Sequence, residues 1–580
     1  MSRMKMDDIV FGRSLREPGY RVDFAVGTTY SLELDTFISI PFSLGFLEEP
    51  DEVMKKSLTY IFAALRLCSD RLAVFCNFAD IKVPPKDYKV YCALMEGSVF
   101  PVNVSRKDRL VNFHPKVWVV RQTSLEKEDS IIRVIVMSRN LTGSGALDCA
   151  CVLTGRIGER QAPAESRARH KPLSDFLKFL CKYASDTKQE QIASLARDIL
   201  RIDRFDVAGP YDDYAFLPMG IRGYSGEAEL DELHRSVRIA VVSPFLDDVT
   251  VNQLASAREE RLLVTQEPSI NQSVVDAFGK ENVYTLNPGM TDNDLDESVN
   301  LHAKMYFSTR WDDEWRNYLY LGSTNATRNG FSSNVEFLVR MRFKKYSMSW
   351  YEFADYFKND PDRRFMPMAD VFKGTDSQAE EYRQSIRLRQ AIASITHGDV
   401  KKEGEVYSIC MTMKGEDPET EVSPLMRPDL KSALRPGLVF SGMALTELSE
   451  FYVVTSAGLS RVVKIPTTVI PKERDEAICL SFIPDKDQFM DCISFLLSES
   501  KTVYVLSRMA DYLKMGEGIT RMAANPFPAV YENLLREAYD SPDTFEDIRA
   551  FVESLPAKVI PPEFDGLYHM IMKAIDGFKR

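Results

Sequence analysis

Apolar and polar positions along the first 205 residues alternate between two periods. Short runs rich in Val, Ile, Tyr and Phe are interleaved with stretches spaced for helices. "VDFAVGTTYSL", "RLAVFCNF", "YKVYCALM", "NFHPKVWVV" and "IIRVIVMS" predict strands, and "SLTYIFAALRLC" predicts a helix. Residues 172–200 carry helical spacing with a break near Ser185. The order then starts again. "SVRIAVVSPF" predicts a strand and "DDVTVNQLASA" a helix opened by Asp247 or Asp248. "RLLVTQ" is a strand and "SINQSVVDAFG" a helix ended by Gly279, with "LHAKMYFS" and "NYLYLGS" following as strands. Strands alternating with helices predict an α/β protein with helix-covered sheets, and the repeated order predicts an internal duplication.

The character changes after about residue 395. "HGDVKKEGE" and "KGEDPETEVSP" read as polar breaks. "GLVFSGMAL", "EFYVVTSAGLSRVVKI" and "AICLSFI" read as short strands, the middle one a hairpin turned at Ser456-Ala457-Gly458. Towards the end, Ser541 and Pro542 open a helix striped by Phe545, Ile548, Val552 and Leu555, and Phe564, Leu567 and Ile571 stripe another. These stripes predict core packing. The expected division is 1–205, 206–395, a β-rich 396–484 and a helical 485–580, which agrees with a length too great for one core.

Two of the predicted strands carry charge where a buried strand would not. Side chains at i and i+2 share a face. His114, Lys116 and Trp118 therefore share one, against Phe113, Val117 and Val119; His302, Lys304 and Tyr306 share another, against Leu301, Ala303, Met305 and Phe307. Each pair is followed by a second signature at the end of an apolar strand, Ser138 and Asn140 in "VIVMSRNLTGSG" and Ser323 and Asn325 in "YLYLGSTNATRNGF". Asn140 lies 26 residues after His114, and Asn325 lies 23 after His302. Two matched sets of His, Lys, Ser and Asn suit phosphodiester chemistry. One neutral imidazole attacks phosphorus, the other gives a proton to the leaving oxygen, and the lysines and asparagines meet the phosphoryl oxygens. Ser138 and Ser323 are expected to help bind the substrate.

Composition changes the picture little. A 44% hydrophobic content is that of an ordinary globular protein, and no apolar run is long enough to span a bilayer. The first residues lack the apolar core of a signal peptide, so a cytoplasmic protein without a membrane partner is expected. The nine cysteines fit free thiols, and Cys149 and Cys151 are spaced wrongly for zinc. There is no Walker, Rossmann or His-Glu-X-X-His pattern, and neither a cofactor nor a metal is expected. The acidic stretch 290–300 lacks calcium-loop spacing and reads as a solvated loop close enough to the second motif to act as a lid. His170, His234, His397 and His569 read as structural or surface residues. Net charge is −12, yet residues 101–175 hold 13 Lys and Arg against 8 Asp and Glu, an excess that would suit a local groove for nucleic acid.

The constellation resembles the phospholipase D superfamily over about residues 20–345, most strongly at 114–140 and 302–336. The usual pattern is His-X-Lys, four residues, then Asp, and that Asp is absent; Arg121 and Thr309 stand there. Motifs of His, Lys and Asn without that Asp are similar to the tyrosyl-DNA phosphodiesterase branch and related bacterial nucleases. The resemblance implies two pseudo-symmetric halves, each a mixed sheet flanked by helices, around one metal-independent site that passes through a phosphohistidine. It also implies that an acidic or amide residue after each Asn orients the histidine of the other half. Glu336, 11 residues after Asn325, is placed to serve His114; at the same offset from Asn140 stands Cys151, which cannot serve, and Asp148 would substitute only if the loop shifts. This makes His114 the expected nucleophile and His302 the expected general acid. The expected substrate is nucleic acid, DNA ahead of RNA. The alternatives are a phospholipid phosphodiesterase and a non-cleaving nucleic-acid-binding scaffold. The C-terminal parts resemble an interaction module for a protein partner, as on bacterial defence or repair proteins.

Overall fold

The computed structural model describes residues 15–578 apart from several stretches, the longest being 45–64, 106–110, 288–299, 369–376, 498–529 and 537–547. The protein is a mixed α/β molecule with several mixed sheets. One sheet holds β1 (Tyr20–Thr29), β2 (Leu72–Asn77), β3 (Val99–Val102), β4 (Val117–Ser124), β5 (Ser130–Met137), β6 (Ala150–Ile157) and β7 (Ile202–Val207) in the order β7-β6-β5-β4-β1-β2-β3. β1, β2 and β3 are parallel and the other neighbours antiparallel. A second sheet holds β8 (Tyr211–Met219), β9 (Arg238–Val242), β10 (Glu260–Thr265), β11 (Val283–Leu286), β12 (Met305–Trp311), β13 (Trp315–Gly322), β14 (Glu336–Phe343) and β15 (Phe365–Pro367). Its order is β8-β14-β13-β12-β9-β10-β11-β15, with β9, β10 and β11 parallel.

Alternation along the strands decides what each face covers. Phe24 and Val26 of β1 and Val117 and Val119 of β4 turn into one core with Met305 and Phe307 of β12, Val339 of β14 and the helices Ala164–Leu180 and Asp186–Ile199. Ser185 starts the second of these helices, at the break the sequence predicts. Tyr306, Tyr318 and Tyr320 turn to the opposite face of the second sheet, which the helices Asp248–Leu254 and Gln272–Phe278 cover. Asp247 caps the first of these helices, and Gly279, with φ of 83°, ends the second. The opposite face of the first sheet carries Trp118, which lies against Gly27 of β1; a Cβ there would meet the indole ring at 2.7 Å, so only glycine admits it.

What covers that face comes from the far end of the chain. Phe489, Ile493, Phe551, Phe564 and Ile571 share a core with Leu72, Val74, Trp118 and Val120. β16 (Ile395–Glu403), β17 (Val406–Met413), β18 (Asp417–Pro424), β19 (Ser432–Leu434), β20 (Val439–Met443), β21 (Phe451–Ser456) and β22 (Leu459–Lys464) form two further sheets. One of them runs Leu32–Glu33, Ile81–Lys82, β22, β21, β18, β19, so residues of the first 85 extend a C-terminal sheet. The C-terminal helices thus pack on the first sheet, and two short strands of the first 85 residues join a C-terminal sheet.

Several local expectations are corrected. Lys89–Met95 and Glu473–Phe482 are helices, although "YKVYCALM" and "AICLSFI" read as strands. Short apolar runs fit either period when they are wholly buried, as Cys92 to Met95 are. The polar stretches after 395 are strands β16 and β18, with faces left partly to solvent. The hairpin of β21 and β22 turns at Ala457 and Gly458, both with positive φ. The predicted helix at 57–68 falls largely outside the described residues, as do Ser541, Pro542, Phe545 and the acidic stretch 290–299.

Candidate active site

Both His-X-Lys segments lie just ahead of their strands, and each pairs with the other sheet's approach to a carboxylate. Phe113 bridges Val335; the His114 N–H donates to Val335 O at 2.9 Å and the Val335 N–H to Asn112 O at 2.9 Å. Asn300–Leu301 runs parallel to Ala146–Leu147, and Leu147 O accepts from the N–H groups of His302 and Ala303. This reciprocal pairing puts each imidazole against an acid more than 150 residues away. His114 Nδ1 is 2.9 Å from Glu336 Oε2, and His302 Nδ1 is 2.8 Å from Asp148 Oδ1. A carboxylate accepts, so each Nδ1 carries the proton and each Nε2 presents its lone pair.

The serines at the ends of β5 and β13 hold those acids. Ser138 Oγ donates to Asp148 Oδ1 at 2.6 Å and Ser323 Oγ to Glu336 Oε2. Each hydroxyl also accepts a backbone N–H at 2.9 Å, from Cys149 and Phe337 respectively. Both side chains are fully buried. They therefore orient carboxylates, which corrects the expectation that they bind substrate. The second of these contacts depends on Gly322: a Cβ there would lie 2.2 Å from Phe337 O, so a side chain would force β13 from β14.

Lys116 and Lys304 are fully buried. Lys116 Nζ donates to His114 O at 3.0 Å and lies 3.1 Å from His114 Nε2, and Lys304 Nζ donates to His302 O. Burial lowers Lys116 well below an ordinary lysine, and Lys304 adds to this; burial brings Lys304 down to about 8. His302 falls to about 4 through burial and the charge of Lys304. His114 is lowered by burial and by both lysines, against the opposing pull of Glu336. Burial would raise Asp148, but the bonds from His302 and Ser138 and the charge of Lys304 leave it lowered. The field of each lysine reaches the histidine of the other motif, so the two motifs form one site. Asn140 Oδ1 accepts weakly from the Ser31 N–H at 3.5 Å, and Asn325 Oδ1 is buried without a hydrogen-bond partner.

The structure brings together His114, Lys116, His302, Lys304 and Glu336 with Asp148, Ser138 and Ser323, and Asn140 and Asn325 stand two residues past the two serines. Cys151, at the offset where an orienting residue was sought, lies instead 3.2 Å from Met341 Sδ, and Asp148 holds His302. The expectation that His302 lacks an obvious orienter is thereby corrected. Arg121 and Thr309 take no part; they bond Asp198 and Asn317. His170 meets Tyr214 OH at 2.7 Å within the fold. Among the described residues no group of three or more His, Cys, Asp or Glu is arranged to hold a metal, and no helix is long and apolar enough to cross a membrane. Much of the described basic excess at 101–175 is already engaged within the fold. Arg121, Arg133, Arg156, Arg169 and Lys171 pair with carboxylates, Lys116 belongs to the site, and 106–110 lie outside the described residues.

No family profile matches the chain. No curated protein matches it either. Among solved structures, a mutant of the yeast tyrosyl-DNA phosphodiesterase is similar at 9% identity and a TM-score of 0.35, over 57% of this chain and 84% of that one. The polyphosphate kinase of Porphyromonas gingivalis is similar at 11% identity and a TM-score of 0.34, over 65% of this chain and 51% of that one.

Proposed function

We propose that this protein is a phosphodiesterase of the phospholipase D type, in which the two large sheets are the pseudo-symmetric halves of one enzyme. The observation that carries the reading is the crossed pairing of His114 with Glu336 and His302 with Asp148 around two buried lysines. His114 Nε2 attacks phosphorus as the bond to the leaving oxygen breaks, and protonated His302 gives that oxygen its proton. Water then attacks the phosphohistidine, His302 takes the water proton, and the P–N bond breaks to restore His114. Lys116 and Lys304 supply charge to the phosphoryl oxygens, with Asn140 and Asn325 as amide donors. Glu336 and Asp148 fix the tautomers and steady each imidazolium.

Nucleic acid is the proposed substrate, DNA ahead of RNA. Phe245, 48% exposed, stands on the segment that bonds through Ser243 to Ala326, beside Asn325. An exposed ring beside the site offers a face on which an unpaired base can stack. A role in bacterial defence or repair would suit such an activity.

The test is incubation with labelled single- and double-stranded DNA and RNA, and with phosphatidylcholine vesicles, in excess EDTA. Cleavage of nucleic acid should persist. Loss on chelation with recovery on adding magnesium would remove the metal-independent mechanism, and cleavage of lipid alone would replace the substrate. In quenched reactions His302→Asn should accumulate a phosphoryl adduct on His114, because the water-activating base is gone, and His114→Asn should form none. Finding the adduct on His302 would exchange the two roles.

A further inference from the structure

The backbone ahead of His114 is held by a residue from far along the chain. Arg389 lies on the helix Ser377–Ser394, whose Leu388, Ala391 and Ile392 pack with Phe78, Ala79 and the C-terminal strands. Its guanidinium is buried and bonds three groups at once: Tyr30 OH at 2.7 Å, Asp80 Oδ2 at 3.1 Å, and Asn112 Oδ1. Each contact leads to the catalytic pair. The Tyr30 ring lies against the His114 imidazole with centroids 5.0 Å apart, and Lys116 Nζ is 5.8 Å from that ring. Asp80 accepts from the Asn77 side chain, whose Oδ1 in turn takes the Phe113 N–H at 3.1 Å. Asn112 gives its N–H to Asn334 Oδ1 at 3.1 Å, and Asn334 Nδ2 reaches Glu336 Oε1 at 3.2 Å. In the second motif the place matching Tyr30, one residue beyond the parallel strand's hydroxyl, is taken by Pro244, which offers neither ring nor hydroxyl.

We propose that Arg389 and Tyr30 are positioning residues for His114, through which the docking of the C-terminal region sets the angle of the imidazole. The proposal rests on His114 as the attacking group. The ring wall restricts the tilt of the imidazole and shields it from water. The fork keeps Asn112, and with it the bridge to Val335, in register with Glu336. Lysine at 389 would keep the charge facing Asp80 but could not reach the tyrosine and the asparagine together. A near-attack geometry lost by a small tilt reduces the chemical step without weakening the binding of an anion between the lysines. The groups facing His114 are Glu336, Lys116, Lys304 and the Tyr30 ring; of these the fork touches the ring directly and Glu336 through Asn112 and Asn334, and neither lysine.

The variants are Arg389→Lys and Tyr30→Phe, in the full chain. Three quantities are measured: the single-turnover rate on single-stranded DNA, sulfate affinity, and the imidazole titrations of His114 and His302 by nitrogen NMR, assigned with His114→Asn and His302→Asn. Each variant should slow turnover on the order of tenfold. Sulfate affinity should stay within about twofold. The His114 titration should move upward as water enters, with His302 unmoved. The double variant should be no slower than the worse single one by more than about twofold, because both break one link. Equal movement of both histidines with weaker sulfate binding would show general damage and overturn the proposal. Unchanged turnover and unchanged His114 titration would also overturn it. If the wild type cleaves no phosphodiester at all, the mechanism of the preceding section fails, while the His114 titration still decides whether Arg389 and Tyr30 position the ring.

Discussion

An imidazole buried beside two lysines holds no proton to give until an anion arrives. His302, held down to about 4 by burial and Lys304, is neutral in the empty site at pH 7, and His114 is lowered as well. A bound phosphoryl group brings the missing negative charge and raises both histidines, so binding takes up protons. Sulfate, which does not itself titrate in this range, should therefore bind more tightly as pH falls. The affinity should climb by up to tenfold per pH unit for each proton taken up, between the bound-state pKa of His302 and its free value near 4. Lys304, brought to about 8, adds an earlier step as it gains its proton. Calorimetry at several pH values should show both steps, and His302→Asn should reduce the lower one to the share of His114 while leaving the step of Lys304. Sulfate affinity flat from pH 7 to 4 would contradict this electrostatic picture. The histidines, lysines and asparagines of the site are legible in the sequence because i, i+2 spacing before a strand stands out. Asp148 is hard to read because it sits between the short strand Ala146–Leu147 and β6, eight residues past Asn140, whereas Glu336 opens β14, eleven past Asn325. Its signal was the nearest acid ahead of the apolar strand, not a fixed offset.

Strand ends are the elements that make the site, since each carries one group across to the neighbouring strand. β13 ends at Gly322, Ser323 follows it, and β14 begins with Glu336, so one antiparallel strand pair delivers both the carboxylate and the hydroxyl that aims it. Glu336→Gln keeps the shape and removes the charge. Glu336 raises the His114 pKa, so its loss lowers that pKa further and moves the acid limb of kcat/KM to lower pH. The rate should drop roughly 10- to 100-fold, as for other partners that orient a functional histidine. Ser323→Ala should cost less, because the His114 bond to the carboxylate remains. A pH profile of Glu336→Gln displaced upward would show that the carboxylate does not act on His114. At this scale the parallel strands and the capped helices of residues 238–279 were legible, since Asp247 and Gly279 mark their ends chemically. Lys89–Met95 was not, because a buried run such as Cys92 to Met95 loses the polar face that separates a 3.6-residue period from a two-residue one, and Glu473–Phe482 was not, because its apolar run of seven residues was read apart from the charged turn that opens the helix.

The whole molecule is closed by its own C-terminus. Phe489, Ile493, Phe564 and Ile571 lie on the face of the first sheet that also holds Trp118, two residues beyond Lys116. Glu96, buried in the first sheet's region, accepts from Arg474 at 3.0 Å and from the Glu450 N–H at 2.8 Å, and Lys464 donates to Val99 O at 3.0 Å. An amphipathic stripe such as Phe564, Leu567 and Ile571 announces that a helix packs, but a stripe alone does not name the surface that receives it. That is why the sequence left this region looking like a module of its own. A chain ending at residue 395 would expose large apolar side chains on the first sheet and leave Glu96 without its cation. Fully burying a large apolar side chain stabilises by about 1.5–3 kcal/mol, so losing several such contacts exceeds the roughly 5–15 kcal/mol by which a domain is stable. The 1–395 fragment should therefore aggregate or unfold, and bind neither sulfate nor DNA, whereas adding residues 396–580 as a separate chain during refolding should restore both. A soluble fragment of 1–395 with a cooperative thermal transition and full cleavage activity would show that the C-terminal region is a detachable domain and not part of the core on which His114 and Lys116 stand.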